Sequence, residues 1–255
     1  MGSIMAIANQ KGGVGKTTTA INLAASLAAA QKRCLLVDCD PQGNATTGLG
    51  FDRGGLTEGV YDLMMGDGWR RDLIKGTMLP GLFLIGSTKS LIGAEIEMVE
   101  TPYKEFLLRD KLRHIKRDYD FIFVDCPPSL GFLTLNALVA ADEVLVPLQC
   151  EYYALEGLSQ LVTTIKAVKR SLNPGLRLGG ILLTMFDIRN NLSQQVAEEV
   201  RKHFKATVFQ TVIPRNVRLS EAPSHGKPVL LYDVRSKGAQ SYLALAREIL
   251  RKAAV

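Results

Sequence analysis

The segment Lys11-Gly-Gly-Val-Gly-Lys16-Thr17-Thr18 gathers three glycines, two lysines and two hydroxyls into eight residues. Glycines let a backbone turn its N–H groups inward, and a helix beginning at Lys16 adds its positive end. Gly12, Gly13, Val14 and Gly15 therefore form an anion nest, completed by Lys16, Thr17 and Thr18. In that arrangement Lys16 reaches the β- and γ-phosphates of a nucleoside triphosphate such as ATP, and the Thr17 hydroxyl ligates the accompanying Mg²⁺. A second set of groups is acidic. Asp125 closes the apolar run Phe121-Ile-Phe-Val-Asp125, and Asp38 and Asp40 follow the run Cys34-Leu-Leu-Val. Carboxylates at the ends of buried strands lie where open α/β sheets collect ligands, so Asp125 is expected to hold Mg²⁺ through a water. Asp38 is open between a site acid and a structural one.

The elements that must hold these groups are legible as an alternation. Apolar runs at Ile4–Ala8, Cys34–Asp38, Leu82–Ile85, Phe121–Asp125, Val144–Leu148, Gly180–Met185 and Val208–Ile213 read as strands buried on both faces. Amphipathic stretches at Lys16–Gln31, Phe106–Arg117, Leu155–Leu172, Leu192–Phe204 and Ala239–Lys252 read as helices. Strand–helix alternation predicts an α/β fold with a mostly parallel, doubly wound sheet and helices on both faces. At 255 residues and 47% hydrophobic composition, residues 1–255 are expected to form one P-loop domain. Boundaries are least defined between Thr57 and Glu100.

Composition narrows the classes of function. No run approaches the roughly 18 apolar residues of a membrane span, and no leader pattern precedes the first strand, so a cytoplasmic protein without a membrane partner is expected. Cys34, Cys39, Cys126 and Cys150 form no CxxC pair and sit in or beside apolar runs, which predicts buried reduced thiols. His114, His203 and His225 lack metal-ligand spacing. Net charge is +6, but residues 151–255 hold 16 Lys/Arg against 8 Asp/Glu, an asymmetry that suggests a polyanionic partner.

The phosphate loop departs from the ordinary G-x-x-x-x-G-K-[ST] pattern: Gln10 stands at the first glycine position and Lys11 is an added cation. In this the chain resembles the deviant Walker A ATPases of the MinD/ParA superfamily. The blocks Ala8–Thr19, Val37–Asn44, Val124–Gly131, Gln149–Gly157 and Ile213–Pro228 together resemble the chromosomal ParA proteins of the Soj type, over almost the whole chain.

That resemblance implies an ATP-dependent homodimer in which Lys11 crosses to the partner's phosphates, adding positive charge where negative charge builds during transfer. It implies Mg²⁺-dependent hydrolysis of ATP to ADP, with Lys11, Lys16 and Asp40 as the catalytic set. Asp40 lies in a first switch loop, Asp40–Asn44, where it positions or activates the attacking water; it is also a candidate for the metal through a water. Pro127–Gly131 resembles a second switch. Met185, Pro214 and Asn216, with Phe186 nearby, are expected at the adenine, and Glu151 at the partner's nucleotide or signature lysine. Arg189 and Arg218 match positions of DNA-contacting arginines in relatives. The implied partners are non-specific DNA and a ParB/Spo0J-type protein that stimulates hydrolysis, and the implied location is the nucleoid. A membrane-positioning relative of the MinD type is the alternative, since the tail Ser241–Val255 is amphipathic.

Overall fold

Seven strands, in the order β3-β4-β2-β5-β1-β6-β7, build the sheet of the computed structural model, which describes residues 2–253. They are β1 (Ser3–Ile7), β2 (Cys34–Asp38), β3 (Lys75–Gly76), β4 (Leu82–Ile85), β5 (Phe121–Asp125), β6 (Glu143–Gln149) and β7 (Arg177–Thr184). All pairings are parallel except the short edge pair β3–β4. The central strands carry unbroken apolar runs because both faces are covered. Ala6, Val37, Val124 and Val146 enter one core, whereas Ile7, Leu36, Phe123 and Leu145 enter the other.

One face is covered by α1 (Lys16–Ala29) and α11 (Lys237–Ala253), which pack against each other. Ala20, Ala24, Ala25 and Ala28 are small enough to bring α1 close to the sheet, and nearly all of the helix is buried. The opposite face carries α5 (Leu107–Leu112), α6 (Phe132–Ala140), α7 (Ala154–Ser171) and α8 (Asn191–Phe204). Shorter helices sit on the connections: α2 (Asn44–Gly48), α3 (Val60–Met65), α4 (Ala94–Glu97), α9 (Val217–Glu221) and α10 (Val229–Tyr232). The apolar stripe of α11 is spent inside the molecule, with Ala239, Tyr242, Leu245, Ala246 and Ile249 buried. The last two residues of the expected amphipathic tail lie outside the described residues. Among the described residues, no helix is long and apolar enough to cross a membrane.

Three expectations are corrected. Val208–Ile213 is not a strand. Phe209 N–H donates to Ile181 O at 3.0 Å and Ile213 N–H to Leu183 O at 2.9 Å, so four residues on one side span two on the other. The intervening Gln210 and Thr211 amides are taken by the Glu248 carboxylate of α11 at 2.9 and 3.0 Å, a competitor the apolar pattern does not announce. The helix expected over Phe106–Arg117 is regular only from Leu107 to Leu112 and continues as tighter turns. Finally, α6 and β3 were not among the expected elements. Phe132–Ala140 is almost uniformly apolar and buried, so it shows no amphipathic period to read.

Candidate functional site

β1 runs into the glycine loop and then α1, so the loop hangs at the carboxyl edge of the sheet between β5 and β6. Gly13 and Gly15 take φ of 75° and 88°, the left-handed region that only glycine enters readily. Three side-chain bonds fix the loop. Asn9 Nδ2 donates to Pro147 O at 2.7 Å, Lys11 N–H donates to Asn9 Oδ1 at 3.0 Å, and Thr184 Oγ1 donates to Val14 O at 2.9 Å. Lys16 is 7% exposed and its Nζ donates to Lys11 O at 3.0 Å, tucking the ammonium under the loop. Burial lowers its pKa, opposed chiefly by the charge of Asp125.

Asp38 and Asp125 are register partners at the carboxyl ends of the adjacent strands β2 and β5, and both are fully buried. Their surroundings differ. Asp38 accepts from Thr46 N–H at 2.8 Å, Thr46 Oγ1 at 2.6 Å and Asp40 N–H at 3.2 Å. Its donors therefore come from the Asp40–Asn44 loop and the start of α2, which makes it the structural anchor of that loop. Burial pushes its carboxyl up to about 6 against the opposing Thr46 bonds.

Among the described residues Asp125 accepts no well-aligned hydrogen bond, although the Thr17 hydroxyl stands close enough to oppose the rise of its pKa. Burial, followed by the nearby charge of Asp38, pushes its pKa well above the ordinary range. A buried carboxyl so weakly served is satisfied by a proton or a cation. Asp125, Thr17 and the phosphates of a bound nucleotide thus fit Mg²⁺, an ion that binds by one or two protein oxygens together with phosphate and water. No cluster of three or more His, Cys, Asp or Glu among the described residues offers a metal a site of its own.

Asp40 is 6% exposed, and its Oδ1 accepts from Gln42 N–H at 2.9 Å while its backbone carbonyl accepts from Gly43 N–H at 2.9 Å. Its charge acts on both Lys16 and Asp125, placing it with them at one electrostatic site. The segment Pro127–Gly131 also reaches the loop: a Cβ on Gly12 would come within 3.9 Å of Pro128 Cβ. Behind that segment, Glu95 Oε1 accepts from Leu133 N–H at 3.3 Å, setting an acid at the N-terminus of α6.

A cavity of about 560 Å³ opens beside the loop, lined in part by Gly15, Thr17, Thr18, Met185, Pro214 and Asn216. The residues expected at the base are therefore brought together with those expected at the phosphates. Phe186 pairs with Pro214 behind the cavity. Met185 holds φ 48°, unusual for a non-glycine residue and located where the chain leaves β7 to form the wall. Asn216 Oδ1 accepts from Arg218 N–H at 3.1 Å and caps α9. The wall also includes Asn44 and Lys227, which fall in the blocks Val37–Asn44 and Ile213–Pro228, and Thr47 and Tyr242, which fall in none.

Lys11 leaves the loop in another direction, its Nζ 2.6 Å from Glu151 Oε2 of the same protomer, with both side chains about half exposed. Gln149 Nε2 donates to the other Glu151 oxygen. Arg189 and Arg218 lie outside the cavity wall, each already paired. Arg189 grips Asp187 through Nε at 3.0 Å and Nη2 at 2.9 Å, and Arg218 Nη1 donates to Glu221 Oε2 at 2.7 Å.

A family model described as an AAA domain matches residues 2–178. The chain is 59% identical to the chromosome partitioning protein ParA of Myxococcus xanthus, covering 99% of this chain and 89% of that one. It is 58% identical to the sporulation initiation inhibitor protein Soj of Bacillus subtilis, covering 98% of each. The chain belongs to the ParA/Soj family of chromosome-partitioning ATPases. A solved structure named cobyrinic acid a,c-diamide synthase, from Mycobacterium smegmatis with a bound ATP analog and magnesium, superposes with a TM-score of 0.86 at 37% identity. That comparison covers 98% of this chain and 95% of the other. In this ParA/Soj protein the loop and the cavity are continuous, sharing Gly15, Thr17 and Thr18.

Proposed function

We propose that this ParA/Soj family member is an ATPase that dimerises on binding ATP·Mg²⁺, then binds DNA without sequence preference, and is released by hydrolysis stimulated by a ParB-type protein. The observation that carries the reading is the division of labour between the two loop lysines. Lys16 is buried and acts within its own site, whereas Lys11 stands half exposed at the rim, where a second subunit's phosphates can reach it. A cation supplied across an interface makes the complete site depend on dimerisation.

Within one subunit, Lys16 holds the β- and γ-phosphates, and Thr17 with Asp125 would hold Mg²⁺ through oxygen and water. The ion, when bound, neutralises charge on the phosphates. Asp40, fixed by Asp38 and its own turn, orients the attacking water. Met185, Pro214 and Asn216 enclose the base. The basic second half of the chain supplies the polyanion surface, and Arg189 and Arg218 exchange their carboxylate partners for DNA phosphates. Such contacts release counterions and carry little sequence information. Two weak patches joined in a dimer bind far more effectively than one, because the second engagement is intramolecular.

The test is binding of a generic duplex at two salt concentrations without nucleotide, with ADP, with ATP and with a non-hydrolysable ATP analogue. Salt-sensitive binding confined to ATP and the analogue is the expected result. No binding in any state, by protein shown to bind ATP, would overturn the DNA reading.

A further inference from the structure

Arg53 lies beyond α2, outside every motif block, and reaches back to the loop that carries Asp40. Its Nη1 donates to Gln42 O at 3.1 Å, and its Nη2 donates to Pro41 O and to Thr88 O at 3.2 Å. Among the described residues, no other donor serves the carbonyls of Pro41 and Gln42, and no carboxylate lies within ion-pair distance of Arg53. The guanidinium is thus spent on backbone, although an arginine on a surface connection ordinarily finds water or an acid.

Two further observations show that the site is built around this side chain. Gly43 holds φ 66°, which favours glycine, and a Cβ there would lie 2.8 Å from both Cδ and Nε of Arg53, so the stem packs directly on the loop backbone. Nε is buried without an acceptor among the described residues, a local cost accepted so that the fork can reach the three carbonyls.

The geometry has a mechanical meaning. On its inner side the first switch is held by Asp38, whose partner Thr46 also accepts from Ser87 N–H at 2.9 Å. On its outer side it is held by Arg53, which joins Pro41 and Gln42 to Thr88, the neighbour of Ser87. Both attachments lead to the turn after β4, and Asp40 lies between them. We propose that Arg53 is a positioning residue for hydrolysis: it clamps the two residues after Asp40 so that the Asp40 carboxylate keeps its place beside Lys16 and Asp125. This rests on the reading that Asp40 orients the attacking water. Lysine cannot replace it, because one ammonium on a flexible stem does not present the planar fork that three carbonyls require.

The experiment compares Arg53→Ala, Arg53→Lys and Asp40→Ala with the parent in full-length protein. It measures the dissociation constant of a fluorescent ATP analogue, phosphate release at saturating Mg-ATP with duplex DNA present, and thermal unfolding. For Arg53→Ala, turnover is expected to fall roughly tenfold to a hundredfold, the cost of misplacing a reacting group by about 1 Å. Analogue affinity is expected to stay within about twofold of the parent, the signature of a contact that matters in the reaction and not in binding. Arg53→Lys is expected to remain closer to Ala than to the parent. Unchanged turnover in Arg53→Ala, or a loss matched by lost affinity and a lowered unfolding temperature, would overturn the proposal. If Asp40→Ala also turned over at the parent rate, the assignment of Asp40 would fail with it; an inactive Asp40→Ala beside a fully active Arg53→Ala would remove Arg53 alone.

Discussion

Lys11 Nζ lies 2.6 Å from Glu151 Oε2, joining the phosphate loop to the residues just after β6 inside one protomer. Both groups are about half exposed, so the pair contributes at most about 1 kcal/mol to folding. On the proposed dimeric reading its effect belongs to assembly, because a lysine held at home must leave its partner before it can serve another subunit. Glu151→Gln is expected to leave thermal stability nearly unchanged and to lower the protein concentration at which ATP produces dimer in sedimentation. A weaker dimer would show instead that Glu151 acts across the interface.

The Arg189–Asp187 pair makes a prediction about acid. The Arg189 hydrogen bonds hold the Asp187 carboxyl at about 2, below its ordinary value of 3.8. A depressed acid adds stability above its unfolded pKa, and that contribution disappears as pH falls from about 3.8 through about 2. In a carboxyl-detected NMR titration, Arg189→Ala should return the Asp187 midpoint toward 3.8. If Arg189 meets DNA, Asp187→Asn frees it and should tighten duplex binding at low salt, as read by fluorescence anisotropy. Weaker binding would place the DNA surface elsewhere.

Thr46→Val keeps shape and removes a hydroxyl that donates to Asp38 and accepts from Ser87 N–H, both buried. Loss of a bond to a charged group and an orphaned amide together predict a destabilisation of about 3 kcal/mol in urea unfolding. A change below about 1 kcal/mol would mean that the loop rearranges to satisfy both groups.

All four cysteines are buried and free. Burial pushes Cys34 up to about 12 and Cys150 up to about 11, and raises Cys39 and Cys126 as well. Thiolate is the reactive form, so the native protein near pH 8 should show no fast-reacting thiol toward a disulfide reagent, and all four should react in denaturant. One fast thiol in the native state would contradict this.

Much of the fold and the phosphate site is legible in sequence because the information there is local. The glycines of the loop, the hydroxyls after Lys16 and the acid ending Phe121–Asp125 each declare a backbone shape or a strand end within a few residues. Strand runs such as Cys34–Asp38 need only their own apolarity. Arg53, Tyr242 and Glu248 carry no such mark, because each acquires its role from a contact made across the fold. Tyr242, from the last helix, lines the cavity and shares a 3.1 Å hydrogen bond with Thr19, which is 223 positions away. Glu248 removes the amides of Gln210 and Thr211 from the sheet and so undoes a strand that local pattern favours. Asp38 and Asp125 look alike as strand-ending acids, and only their neighbours separate an anchored carboxylate from an orphaned one.

That orphaned Asp125 ties the durability of the molecule to the chemistry of its surroundings. A buried carboxyl that accepts no well-aligned hydrogen bond gains from a bound cation, and a ligand that binds the folded state alone shifts the unfolding equilibrium by mass action. Resistance to a protease then becomes a gauge of nucleotide and magnesium supply.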